Sequence, residues 1–247
     1  MGIDLHYRRA ELYDQYYGDY AEMVGWLVEE LVRRGTVLEL ACGTGRVAIP
    51  LAERGVEVTG IDYAPEMLAL AREKAAQRQV PVELVAGDMC AFELNKKFAA
   101  VLLLFNALWH VHEVADFERC MRCVRQHLQP GGIFVLSLFV PGIPILARDP
   151  DKRYPFSSYK DPDSGEEIQV MEQYRYEPDT QLGRIVHYKG DTDEVVGTLN
   201  LRMYFPKELD ALLQYNGMRV VEKFGDWDRS PLGPESNNQI FICEAMR

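Results

Sequence analysis

Apolar positions along this chain recur first in one rhythm and later in another. Between Tyr20 and Arg33, Met23, Trp26, Leu27, Leu31 and Val32 fall at near-helical spacing, which predicts a helix with one buried face. "GTVLELAC" follows with little outward polarity, as expected of a strand covered on both faces. Arg46 to Arg54 reads as the next helix, kept short by Pro50. "VEVTGI" is a second strand. "PEMLALAREKAAQ" is a helix of good helix formers with Pro65 in its first turn. "VELVAGD" makes a third strand, and "FAAVLLLFNAL" contains a fourth. "FERCMRCVRQHLQ" is another helix, stopped by Pro130 and Gly131, and "GIFVLSLF" is a fifth strand. Strands and helices alternating at such short intervals predict an open, doubly wound α/β sheet with right-handed connections.

The rhythm changes after Pro141. "PGIPILARDPDKRYPFSSYKDPDSG" is crowded with turn and breaker residues and reads as a lid or a packed loop. Three stretches of period-two patterning follow. Ile168, Val170, Tyr174 and Tyr176 share a face in the first. In the second, Ile185, His187 and Lys189 oppose Val186 and Tyr188. In the third, Leu199, Leu201, Met203 and Phe205 align. An antiparallel insert of this kind has one apolar face that needs cover, from the chain itself or from a second subunit in a homodimer. "KELDALLQYNG" then predicts a helix, and "MRVVEKFG" and "NQIFICEAM" two last strands. The expected division is 1–140, an N-terminal lid helix with the cofactor-binding part, 141–206, the loop and β insert, and 207–247, the closing helix and strands.

Composition narrows the partners. The chain has 247 residues, 47% of them hydrophobic, enough for a real core in one large domain with an insertion. Its formal charge of -11 disfavours general attraction to nucleic acid or an anionic membrane, and a small-molecule substrate is expected instead. Five scattered cysteines and the lack of a long apolar N-terminal run point to a reducing, cytoplasmic setting. Cys120 and Cys123 form a lone C-x-x-C in a helical stretch without a second pair, so they read as ordinary thiols.

The chemistry concentrates between Val37 and Asp62. Gly43-Thr44-Gly45 sits where a strand turns into a helix, a place where missing Cβ atoms let a ligand reach the backbone. Asp62 ends the next strand, where an acid can accept from ribose hydroxyls. Taken alone, Gly43-x-Gly45-x-x-Ala48 also satisfies a dinucleotide fingerprint, so this fragment leaves NAD and other adenosine-containing ligands open.

The flanking residues add a resemblance. "ELACGTG", Glu39 to Gly45, resembles motif I of the class I S-adenosylmethionine-dependent methyltransferases. "GIDYAPEMLALARE", "GDM" at Gly87–Met89, "LLLFNALWHV" and "HLQPGGIFVLSLF" are similar to later stations of that family, in the same order, from about Leu38 to Phe139. The resemblance implies a Rossmann-like seven-stranded sheet whose last strand is inserted antiparallel beside the fifth, with S-adenosylmethionine as cofactor. It implies that Glu39 organises the glycine loop and reaches the methionine amino group through water. Gly43 and Gly45 would lie beside the methionine part, and Asp62 would accept from the ribose. Tyr63 and Met67 would contact ribose or adenine, Asp88 and the Met89 backbone would hold adenine, and Asn106 would lie near the methionine moiety. The N-terminal "AELYD" resembles the lid of small-molecule methyltransferases, sugar N,N-dimethyltransferases among them. That likeness assigns Tyr13 to the cofactor carboxylate or substrate amine, and Tyr17 to the substrate. Tyr7, Tyr16 and Tyr20 crowd the same segment.

"NALWHVHE" follows the fourth strand at the ligand edge of the sheet. Trp109 is a substrate contact and His110 a substrate contact or base, since histidine's ordinary pKa suits proton transfer near neutrality. His112, Glu113 and Asp116 could join His110 as metal ligands, but no signature links them and no metal is expected. The function expected is methyl transfer to a small molecule, an amine before a hydroxyl. The alternatives are O-methylation of a phenolic or natural-product hydroxyl, a sensor or scaffold that binds the nucleoside without turnover, and an NAD-linked oxidoreductase, which "GDM" and "QPGG" fit poorly.

Overall fold

The structure, a computed structural model, describes residue 7 and residues 9–17, 21–161 and 164–246; Tyr20 lies outside the described residues. In chain order the elements begin with α1 (Ala10–Tyr16), α2 (Ala21–Leu31), β1 (Thr36–Leu40), α3 (Ala48–Glu53) and β2 (Glu57–Asp62). Next come α4 (Pro65–Arg78), β3 (Val82–Ala86), β4 (Phe98–Leu103), a 3-10 turn at Ala107–His110, α5 (Val114–His127) and β5 (Leu128–Phe139). The remainder is α6 (Ile143–Leu146), β6 (Arg153–Lys160), β7 (Glu167–Glu177), β8 (Leu182–Lys189), β9 (Val195–Arg202), α7 (Pro206–Tyr215), β10 (Met218–Phe224) and β11 (Asn238–Ala245). These elements form two compact units, one of residues 20–140 and 204–247, the other of residues 1–19 and 141–203.

The first unit is a seven-stranded sheet in the order β10-β11-β5-β4-β1-β2-β3. The five strands from β5 to β3 pair in parallel, while β11 runs antiparallel to both β5 and β10. This is the architecture expected from the alternating pattern. Both faces are covered, which is why the strands lack polar alternation. Val37, Val58, Ala100, Leu102, Ile133 and Val135 pack with Met23, Leu27 and Leu31 of α2 and with Leu51 of α3. The alternate positions Leu38, Leu40, Val101, Leu103, Phe134 and Leu136 are buried too. Pro50 is accommodated as the third residue of α3, where the chain has no earlier helical carbonyl to satisfy. β5 begins earlier than expected. The Pro130-Gly131 stretch lies inside it, and the pairing with β4 shifts register between Phe98 and Ala100 to absorb the irregular backbone.

The second unit is a four-stranded antiparallel meander, β6-β7-β8-β9. Sequence patterning anticipated three of its strands. The fourth, β6, comes out of the breaker-rich stretch, and Pro155 is tolerated in it because β6 is an edge strand with a register shift beside that proline. The buried face of β7 carries Val170, Glu172 and Tyr174, so a carboxylate sits among the apolar positions. α1 belongs to this unit, and not with the 21–140 region as the expected division had it. Leu12 packs with Tyr159 and Val170, Ser157 Oγ donates to the Tyr16 carbonyl at 3.4 Å, and the Lys160 N–H donates to Gln15 Oε1 at 2.9 Å. α1 thus supplies part of the cover that the sheet's apolar face requires.

Candidate functional site

In the seven-stranded unit the carboxyl ends of β1 and β2 bring Glu39, the glycine turn and Asp62 together. The backbone turns over at Ala41, Gly43 and Gly45, all with positive φ. At Gly45, a Cβ would stand 2.7 Å from Ile49 Cδ1, so the turn and the helix behind it leave room for glycine alone. Over Gly43 the space is open except for Met67, whose Cε would lie 3.8 Å from an added Cβ. Met67 is buried beneath the turn, and Tyr63 stands 55% exposed at its rim.

Asp62 clamps this turn. Its Oδ2 accepts from the Gly43 N–H at 2.7 Å and its Oδ1 from the Ala64 N–H at 2.8 Å. Burial raises its pKa, and the backbone N–H groups of Ala64, Gly43 and Tyr63 oppose that shift. The carboxylate retains acceptor capacity beyond these backbone donors. Asp62 therefore caps the turn, and that role is compatible with accepting from a ligand. The Gly87 N–H donates to the Asp62 carbonyl at 3.0 Å, which ties the Gly87–Met89 turn to the same edge. There Asp88 is exposed, with Oδ1 accepting from the Cys90 N–H at 2.8 Å, and Met89 is half-buried.

Glu39 lies in β1 and is 4% exposed. Desolvation drives its carboxyl up to about 8, against the Ala48 N–H and the Arg46 guanidinium, with Asp62 adding repulsion. Among the described residues its Oε2 has no hydrogen-bond partner. A buried acceptor of this kind calls for a cation, a donor or its own proton.

The segment after β4 is held in an unusual conformation. Phe105 and Asn106 both have positive φ, costly for residues with side chains. Asn106 Oδ1 accepts from the Phe139 N–H at 2.7 Å, the Asn106 N–H donates to the Ser137 carbonyl at 3.3 Å, and the Phe105 N–H donates to Ser137 Oγ at 3.3 Å. The side-chain oxygen of Asn106 is thus committed to fastening this loop to β5. Trp109, expected as a substrate contact, is buried with its ring edge-on to Phe139 at 6.3 Å. His110 departs from the expectation of an ordinary histidine. Desolvation and its neighbour His112 push its pKa down to about 4. Arg46, Phe105 and Ser137 were not anticipated. Arg46 stacks over the Phe105 ring at 4.8 Å, and the only sequence signal for Ser137 was a lone hydroxyl in an apolar strand.

Tyr13 and Tyr17 belong to the other unit, where their rings lie 4.8 Å apart and Tyr7 stands 5.8 Å from Tyr13. Among the described residues no cluster of three or more metal-ligating side chains occurs, and no helix is long and apolar enough to cross a membrane.

Residues 37–132 match the methyltransferase domain family. The chain is 35% identical over 144 residues to a demethylmenaquinone methyltransferase of Thermus thermophilus, covering 57% of each protein. It is 29% identical over 136 residues to a dTDP-3-amino-3,6-dideoxy-alpha-D-glucopyranose N,N-dimethyltransferase of Streptomyces fradiae, covering 52% of each. Those alignments span little more than half the length of the curated relatives. The structure of the CcbJ methyltransferase from Streptomyces caelestis superposes with a TM-score of 0.79 at 26% identity, covering 98% of both chains. With its strand order, its glycine turn and the match over residues 37–132, the chain has the fold of the class I S-adenosylmethionine-dependent methyltransferases.

Proposed function

We propose that this protein transfers a methyl group from S-adenosylmethionine to a small-molecule amine. The residues at the sheet edge fit that cofactor. Glu39 and Asp62 place two carboxyls around a turn with no side chain over Gly43, which suits a ligand carrying an ammonium and a sulfonium charge. Glu39 Oε2 is the acceptor for the ammonium end, directly or through water. Asp62 accepts from the ribose with its remaining capacity, Tyr63 lines the rim, and Asp88 with the Met89 backbone holds adenine. When bound, the cofactor supplies an electrophilic methyl group on sulfur. The chain's task is then to align an acceptor lone pair with it and keep water out.

The observation that carries the amine over the hydroxyl is the environment of His110. With its pKa near 4 the ring is neutral throughout the physiological range. Its basicity lies more than about two orders of magnitude below an ordinary histidine, so it is a poor base for a weakly acidic hydroxyl. A neutral imidazole can still accept an N–H from an amine and orient its lone pair. The acceptor amine needs only to lose its proton to solvent. The sugar N,N-dimethyltransferase named above and a second of that kind among the relatives support this choice.

A pH–rate profile tests it. On the best acceptor from a panel of amines, phenols and carboxylates, the rate should rise with pH through the amine's own pKa. His110→Ala should lower kcat/KM by about tenfold or less without moving that pKa. A loss of about 100-fold or more, on a hydroxyl acceptor, would establish general-base O-methylation in its place.

A further inference from the structure

The buried face of the four-stranded sheet carries Glu172 and His187, which Arg148 joins from the segment before β6, a polar set that the methyl-transfer chemistry has not used. Arg148 Nη1 donates to Glu172 Oε1 at 2.6 Å, and His187 Nε2 lies 3.3 Å from Glu172 Oε2. Glu172 and His187 are directly opposite across β7 and β8, and Tyr154 opposes Glu172 from β6. The Arg148 guanidinium lies over the Tyr154 ring at 4.7 Å. Glu172 is 9% exposed and His187 1%. A largely buried polar set of this kind is seldom worth more stability than apolar side chains of the same size, because desolvation offsets the attraction. Its hydrogen bonds are directional, however, and fix side-chain orientation in a way that apolar contacts do not.

What it orients is visible in the ring contacts. The register shift in β6 falls between Pro155 and Ser157, so Phe156 is the extra residue of a bulge, a device that re-aims a side chain. The Phe156 ring stacks on His187, centroids 4.4 Å apart and planes 19° apart. Its other neighbours are Tyr16 at 6.3 Å and Tyr17 at 6.2 Å, and Tyr17 holds Tyr13 at 4.8 Å. A continuous path therefore runs from Arg148 through Glu172, His187, Phe156 and Tyr17 to Tyr13, all within one unit.

We propose that Arg148, Glu172 and His187 are positioning residues that hold Phe156, and through it Tyr17 and Tyr13, in one fixed orientation within this unit. The proposal rests on the methyl-transfer reading for its consequence in catalysis, while the orientation itself is measurable without an acceptor. The probe is 3-fluorotyrosine incorporated at position 13 of the full chain and read by fluorine NMR. The variants are Glu172→Gln, the apolar set Arg148→Met with Glu172→Leu and His187→Phe, and Phe156→Leu. In the folded variants the Tyr13 resonance should shift and broaden alike, because all three interrupt one path. The apolar set should melt no lower than the wild type, and cofactor binding should stay within about twofold. With an amine acceptor in hand, kcat/KM should fall about tenfold, and adding Tyr13→Phe to the apolar set should cost less than Tyr13→Phe alone. A Tyr13 resonance unmoved in the folded apolar set would overturn the proposal, whatever the melting temperature. Failure of the wild type to methylate any acceptor would count against the activity instead, and the fluorine spectra would still decide the positioning role.

Discussion

Glu39→Gln isolates one buried carboxyl and predicts two measurable effects. In the native chain Glu39 has a pKa near 8, because it is desolvated with a single backbone donor and one oxygen without a partner among the described residues. In the unfolded chain it returns to an ordinary glutamate value of about 4.3. The folded state therefore binds the extra proton between those values. Stability falls as pH rises through that window, by about 1.4 kcal/mol per unit. At pH 7 the accumulated cost is about 3.5 kcal/mol, about 2.5 of it gained above pH 5, and it stops growing above pH 8. Glutamine keeps the shape and the acceptor for the Ala48 N–H but cannot ionise. Urea unfolding from pH 5 to 8 should therefore show Glu39→Gln gaining on the wild type as pH rises, level with it near pH 5 and about 2–3 kcal/mol ahead at pH 7. The second effect appears on cofactor binding. At pH 7 roughly nine-tenths of the free protein carries the Glu39 proton, and an arriving ammonium favours its loss. Titration calorimetry in phosphate and in Tris should differ by the ionisation heat of nearly one released proton, and Glu39→Gln should abolish the difference while weakening binding. Parallel stability curves together with buffer-independent heats in the wild type would refute the reasoning.

The turn offers two further tests. Asp62→Ala removes a charged acceptor from Gly43 and Ala64 and from the proposed ribose contact. It should weaken S-adenosylmethionine binding by about 1.5–3 kcal/mol in calorimetry and also lower the melting temperature; an unchanged dissociation constant would confine Asp62 to capping. Gly45→Ala combines a positive φ with a 2.7 Å approach to Ile49, and should cost about 2 kcal/mol or more in chemical denaturation. A neutral result there would mean that the turn relaxes freely.

Much of the sheet was legible because its signals are local. Continuous apolar runs gave β1, β2, β4 and β5, and the glycine turn with Asp62 at the next strand end marked the edge at which the ligand is proposed. What escaped depended on contacts distant in sequence. β6 was hidden by Pro155 and its neighbours, and it forms because β7 offers it an edge to pair with. The packing of α1 was not legible, since the partners of Leu12 and Tyr16 lie more than 140 residues away in β6 and β7. The depressed pKa of His110 follows from surrounding burial, which residue type alone does not report. Asn106 was placed beside the methionine moiety, but nothing local announced that its side-chain oxygen would be taken by the Phe139 N–H.

The most direct test of the central claim is to incubate the full chain with methyl-labelled S-adenosylmethionine and a mixed panel of amines, phenols and carboxylates, and to read the products by mass spectrometry. Methyl transfer to an amine puts label on nitrogen, matched by an equal amount of demethylated cofactor and reduced in Asp62→Ala at subsaturating cofactor. Firm cofactor binding with no label on any acceptor across a broad panel, or binding of NAD in place of S-adenosylmethionine, would contradict it.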